Sequence, residues 1–161
     1  MATEKRQSHE EVFAKDTITA PRGVNINLET KLAKIAQIAK ERPKELFTSL
    51  VHLLNTDMLL YCHHQLGRYK ASGVDKMTKG KYEENLQENI ARLHQSLKNM
   101  TYKPQAVRRV HIPKPGSNQK RPLGIPAYED KIVQLAISKI LSAIYEQDFL
   151  GHSYGFRPGR S

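Results

Sequence analysis

The sequence predicts an α+β fold, and three features of it do so. Through most of the first hundred positions apolar residues recur at three-to-four spacing, the mark of helices with one buried face. Beyond Tyr102, seven prolines and glycines (Pro104, Pro113, Pro115, Gly116, Pro122, Gly124 and Pro126) interrupt any helix of useful length, so short strands and turns replace it. A helical stripe then returns at Ile132 and runs to Ile144.

In order, residues 1–27 are polar and punctuated by Pro21 and Gly23, which predicts a loosely held, flexible leader. Leu28, Leu32, Ile35, Ala36 and Ala39 fall on one face and predict a short helix. Pro43 suits a first helical position, where its missing N–H costs nothing, so Leu46, Phe47, Leu50, Val51 and Leu54 predict a second helix. Asn55 or Thr56 caps a third, which runs through Met58, Leu59 and Cys62 toward Leu66, with Gly67 as its terminator. Residues 69–75 read as a loop. Tyr82, Leu86, Ile90, Leu93 and Leu97 then hold helical register over nearly four turns. Residues 107–112 and 121–125 read as two strands joined by a polar loop, and the prolines beside the second strand suggest an edge. The helix over 132–144 starts close to Glu129 and Asp130, whose charges suit a helix N-terminus.

With 161 residues the chain is the size of one domain, and 26 Lys plus Arg against 16 Asp plus Glu give a net charge of +10. That balance favours a polyanionic partner, nucleic acid first. No segment approaches the roughly 18 consecutive apolar residues of a membrane-spanning helix, so no membrane partner is expected. The first residues lack a secretory signal, and the expected compartment is cytoplasmic. The single cysteine, Cys62, stands beside His63 and His64, but tetrahedral zinc needs ligands from a second cluster and there is none. A small thiol on a half-buried helix is the better reading.

The positive charge is concentrated. Between positions 89 and 128 there is no acidic residue, while Arg92, Lys98, Lys103, Arg108, Arg109, Lys114, Lys120 and Arg121 are cationic. A charge run is usually a solvated face, but cations on a hairpin also align at period two and present one field to phosphates. Lys114 and Arg121 stand at the two ends of the hairpin loop. An ammonium point charge and a planar guanidinium fork suit one triphosphate approached from two directions. Basic hairpins also occur in structural RNA binders.

Four strings carry a more specific signal: VRRVHIPKPG at 107–116, KRPLGIP at 120–126, DKIVQ at 130–134 and HSYGFRPGRS at 152–161. In order and spacing they resemble the first blocks of group II intron-encoded reverse transcriptases. SGVD at 72–75 resembles the loop that precedes the fingers helices of that family. The resemblance covers roughly residues 40–161. It implies the fingers part of a right-hand polymerase: a helical amino-terminal extension over residues 28–100, then a basic hairpin, a long supporting helix and the start of the next motif over residues 101–161.

By the same resemblance, Lys114 and Arg121 match the residues that contact the incoming dNTP, held by the rigid turn of Pro113 and Pro115. Arg108, Arg109 and Lys120 match the basic strand region near template RNA, and Phe156, Arg157 and Arg160 match the loop beside the templating base. A core aromatic is an equal reading of Phe156. No YADD-like string occurs, and Asp57, Asp75, Asp130 and Asp148 read as caps, surface charges or turn formers. Neither catalytic nor metal-binding residues are therefore expected in this chain. The magnesium ions of the intact polymerase, the primer-template and the missing palm and thumb would lie outside it. The expected role is binding of template RNA and dNTP for RNA-templated DNA synthesis, and of intron RNA as a maturase. The alternative is a stand-alone RNA-binding or RNA-chaperone protein. Without a palm sheet to cover it, the apolar face of the 132–144 helix is expected to be exposed.

Overall fold

The computed structural model of the chain describes residues 22–155 and 157. Among them the order is α1 (Arg22–Glu41), a 3₁₀ turn (Val51–Leu53), α2 (Thr56–Gln65), α3 (Lys79–Glu83), α4 (Leu86–Lys98), β1 (Arg108–Pro113), β2 (Lys120–Ile125) and α5 (Tyr128–Tyr145). The strands pair antiparallel as a two-stranded sheet, so the fold is α+β. No helix among the described residues is long and apolar enough to cross a membrane.

Several elements differ from the sequence reading, each for a local reason. Helix α1 begins at Arg22, inside the stretch predicted as leader, because extending an established helix adds a hydrogen bond per residue even without an apolar period. The helix predicted from Pro43 does not form. Pro43 instead follows Arg42 in a turn closed by the Glu45 N–H on the Arg42 carbonyl (2.9 Å), a position where its fixed φ is already suitable. The segment beyond it runs extended beside α1, half-burying Phe47 and Leu50 but leaving Leu46 exposed.

Helix α2 is capped by Asn55, whose side chain accepts from the Met58 N–H at 2.9 Å. Gly67 follows its end but lacks the positive φ of a left-handed terminator. The open carbonyls of His64 and Leu66 are satisfied by the buried Lys79 ammonium, at 3.2 and 2.8 Å. Burial pulls the Lys79 pKa down, with nearby Arg68 adding to that and Glu83 opposing it.

The long helix predicted across Tyr82 to Leu97 is broken at Glu84 and Asn85 into α3 and α4. At the break the Asn89 side-chain amide donates to the Tyr82 carbonyl (3.1 Å), replacing a backbone bond that a continuous helix makes. Helix α4 ends in a Schellman motif: Thr101 N–H reaches the Ser96 carbonyl (2.9 Å), Met100 N–H reaches Leu97 (3.1 Å), and Met100 takes φ 56°.

Helix α5 is the spine of the core. Ile132, Val133, Ala136 and Ile140 are buried in one cluster with Leu28 of α1, Met58, Leu59 and Cys62 of α2, Tyr82 of α3, and Ile90 and Leu93 of α4. Full burial of each large aliphatic side chain contributes about 1.5–3 kcal/mol. The expectation that this apolar face is left uncovered therefore needs correction, since α1 and α2 cover it. What stays open is a second, narrower stripe of Ile137, Leu141 and Tyr145 beside Phe149. Cys62 is fully buried on the inner side of α2, and loss of solvation pushes its thiol up to about 12 despite the Lys139 charge.

The loop over residues 71–75 clasps the start of α5. A Cβ on Gly73 would lie 2.4 Å from the Pro126 carbonyl oxygen and 2.6 Å from the Ala127 Cα, so only glycine lets the two backbones meet. Asp75 then accepts from the Tyr128 N–H (2.8 Å) and from the Met77 N–H (3.2 Å), capping α5 from 53 residues away, because Ala127 at the cap position has no polar side chain. The first turn of α5 is further tied by Asp130, which accepts from the Tyr102 hydroxyl and from the Gln105 N–H at 3.0 Å. Gly73→Ala is expected to lower unfolding stability by on the order of 3 kcal/mol, read by urea denaturation. A variant as stable as the parent would show that this contact yields freely.

His63 is fully buried among α2, α3 and α5. Its Nδ1 lies 3.0 Å from the Tyr128 hydroxyl, and its Nε2 lies 3.4 Å from a Glu83 oxygen without a hydrogen bond. Loss of solvation, with the Lys79 and His64 charges, lowers its pKa to about 4, against the opposing pull of Glu83. The unfolded chain, with an ordinary value of 6.5, therefore takes up this proton first. Stability from neutral His63 is complete above pH 6.5 and is lost as pH falls toward about 4, by roughly 2–3 kcal/mol. Denaturation of the parent and of His63→Gln at several pH values should show a shallower decline for the variant over that window. Parallel declines would remove His63 as the cause.

Candidate nucleic-acid interface

The hairpin is built from its turn outward. Pro115 and Gly116 occupy the centre of a tight turn, with Gly116 at φ 74° and the Ser117 N–H on the Lys114 carbonyl at 3.2 Å. Proline first and left-handed glycine second are what a type II turn requires. The Lys114 N–H also donates to the Gln119 carbonyl at 2.9 Å, closing the loop. That bond sets the parity of the ladder: Pro113 opposite Lys120 and His111 opposite Pro122 occupy the alternate pairs that exchange no backbone bonds. Neither proline removes a ladder bond, and both face the ribbon edges. The expectation of edge-type strands is met in this form.

Register sorts the cations onto two faces. Arg108, Val110 and Ile112 pair with Ile125, Leu123 and Arg121, which defines an inner face where Val110, Ile112 and Ile125 are half-buried. Lys114 is exposed just beyond β1, at the start of the turn. The outer face carries Arg109, His111 and Pro113 with Gly124, Pro122 and Lys120, all exposed.

Arg108 has a structural task at the ribbon base. Its guanidinium donates to the Ser72 carbonyl from Nε at 3.0 Å and from a terminal nitrogen at 2.8 Å. Beside it Lys131 donates to the Ala71 carbonyl, and burial, with the charges of Arg108 and Lys70, lowers its pKa while Asp75 opposes. The clasp loop thus holds both the ribbon and the start of α5. By contrast the side chains of Arg109, His111, Lys114, Lys120 and Arg121 make no hydrogen bond or ion pair among the described residues.

Arg157 is not brought to the hairpin. It is buried, with Nε and a terminal nitrogen on Glu146 (3.0 and 2.5 Å), another on the carbonyls of Leu150 (3.1 Å) and Ser153 (2.5 Å), and its cation over the Phe149 ring. Glu146 follows the last residue of α5, whereas the ribbon joins its first; an 18-residue helix, about 27 Å long, separates them. Arg157 is a buried tie between α5 and the loop after it. Phe156 and Arg160 lie outside the described residues. Among the described residues no group of three or more His, Cys, Asp or Glu is placed to hold a metal ion.

Sequence reasoning passed over His111, a ring donor between two cations, and Lys131, whose only signal was a cation in the first turn of a helix, where negative charge is the preferred sign. Arg157→Ala is expected to cost roughly 2 kcal/mol, since it removes the buried donor that ties two loop carbonyls to the end of α5. Chemical denaturation measures this, and an unchanged midpoint would mean that the loop finds other partners.

Geometry thus defines a class: a helical platform that presents an exposed cationic ribbon. No protein-family model matches the chain. It is 39% identical over 131 residues to the group II intron-encoded protein LtrA of Lactococcus lactis, covering 81% of this chain and 22% of that one. Protein YkfC of Escherichia coli is 47% identical over 90 residues, 55% of this chain and 23% of that one. A 91 kDa protein in the cob intron of Schizosaccharomyces pombe is 35% identical over 146 residues, 86% of this chain and 18% of that one. The chain belongs with the group II intron-encoded proteins, and spans about a fifth of the length of these relatives.

Proposed function

We propose that the chain is the fingers part of a group II intron reverse transcriptase and maturase, gripping template RNA and the phosphates of the incoming dNTP during RNA-templated DNA synthesis. The observation that carries this is the acid-free hairpin with unpaired cations, in a chain of this family. Lys114 and Arg121 would take the triphosphate together: they stand exposed at the two ends of the hairpin loop, and ammonium and guanidinium suit adjacent phosphate oxygens. Arg109 and Lys120 would meet the RNA backbone, with Arg108 shaping the ribbon base between them and the clasp. The same cationic surface would help the maturase hold its parent intron RNA. The carboxylates that hold magnesium in such a polymerase would come from outside this segment.

In the polymerase that contains this segment, Lys114→Ala together with Arg121→Ala should raise the dNTP KM by roughly tenfold or more, with a smaller effect on kcat. Unchanged nucleotide dependence would exclude their role. For the chain itself, log affinity for single-stranded RNA should fall with log salt by roughly 0.7 per phosphate contact. Affinity that ignores salt would end the electrostatic reading.

A further inference from the structure

Lys131 is a cation in a place that three effects disfavour. It is the fourth residue of α5, close to a helix start, where the backbone dipoles favour negative charge. It is half-buried, and the charges of Arg108 and Lys70 stand near it. Asp75 opposes them, but that carboxylate already accepts from the Tyr128 and Met77 N–H groups. Glu129 and Asp130, the acidic residues of the same helix start, are engaged elsewhere, with Tyr82 and Arg92 and with Tyr102 and Gln105. The ammonium donates to the Ala71 carbonyl. A neutral side chain of similar length would escape the charge costs, so stability does not account for a lysine here.

The bond it makes belongs to a larger arrangement. Consecutive residues of the clasp loop are taken by different elements: Ala71 by α5, Ser72 by Arg108 of β1 at 3.0 and 2.8 Å, and Gly73 by the joint between β2 and α5. Arg108 pairs with Ile125 and so closes the base of the ladder. Adjacent carbonyls of one loop thus hold the first strand of the ribbon and the helix that follows it, which fixes the angle at which the ribbon leaves the platform. From Arg108 to Lys114 the strand runs about 20 Å, so a tilt of about 5° at the base moves the turn by roughly 2 Å, enough to break a phosphate contact. Resting on the reading of the turn as the triphosphate site, we propose that Lys131 is a positioning residue for the incoming dNTP: held on the Ala71 carbonyl, it locks α5 and the clasp loop against the ribbon base and so sets where Lys114 and Arg121 meet the phosphates. It touches no substrate itself.

In the polymerase that contains this segment, dNTP KM and kcat are measured for Lys131→Met and Lys131→Arg, and for Lys131→Met on the background of Lys114→Ala with Arg121→Ala, with urea unfolding of every variant. Lys131→Met should raise KM about fivefold with kcat within about twofold of the parent, while its unfolding midpoint matches or exceeds the parent's. Lys131→Arg should bring KM back to within about twofold, since a guanidinium keeps both the charge and a donor for the carbonyl. On the hairpin background Lys131→Met should change KM by less than about twofold, because the groups it positions are gone. An unchanged KM, the same rise on the hairpin background as in the parent, or a lowered midpoint each overturns the positioning role. These outcomes leave the reading of the turn intact when Lys114→Ala with Arg121→Ala alone raises KM; if that pair has no effect, the triphosphate reading fails and the positioning role falls with it. Lys131→Gln, which keeps a neutral donor, repeats the comparison should the Met variant fail to fold.

Discussion

The backbone contact at Gly73 is the constraint on which the remaining geometry depends. A loop between two helices of the platform comes within van der Waals limits of the residues that join β2 to α5, and no side chain fits between them. Because the approach is so close, Asp75 can reach the first N–H of α5 and Arg108 can reach back to Ser72. A two-stranded ribbon is marginal by itself in water. Here its base is fixed by the clasp, by the half-buried Val110, Ile112 and Ile125, and by the helix that follows.

The second organising feature is the use of negative charge. Acidic residues of the platform are engaged as internal ties: Asp75 to the start of α5, Asp130 to Tyr102 and Gln105, Glu129 to Tyr82 and Arg92, Glu83 to Arg68, and Glu146 to Arg157. None is contributed by the hairpin or the residues leading into it. The net charge of +10 therefore has a spatial meaning. In the platform Arg42, Arg68, Arg92 and Arg157 sit in ion pairs, while the cations on the ribbon face solvent without a counter-charge, where phosphate attraction is least offset. Arg157 and Arg109 illustrate the difference: both are arginines in strongly basic strings, but one is saturated by a carboxylate and two carbonyls, and the other is open.

What was legible in the sequence followed from periodicity and from residues with strong backbone preferences. Helix α5 and α4 declared themselves by their apolar stripes, the Asn55 cap by its position, and the hairpin by Pro115, Gly116 and the paired strands around them. Illegible features depended on partners distant in the chain. Pro43 suits both a helix start and a turn, and only the availability of α1 as a surface for Phe47 and Leu50 chose the turn. The break between α3 and α4 rests on Asn89 serving the Tyr82 carbonyl, and nothing in the apolar register of Tyr82, Leu86 and Ile90 announces it.

By itself the sequence determined the α+β class, the hairpin and the helix after it, the concentration of cations on that hairpin and the resemblance to group II intron-encoded proteins. These follow from short-range patterns, since turn chemistry and side-chain alternation act within a few residues. Tertiary structure alone decided which cations are free: it buried Arg157, committed Arg108 and Lys131 to the clasp, and divided Arg109, Lys120 and Arg121 between two faces. The reason is that a charged group is assigned by what lies within a few ångströms of it, and in a folded chain those neighbours come mostly from elsewhere in the sequence.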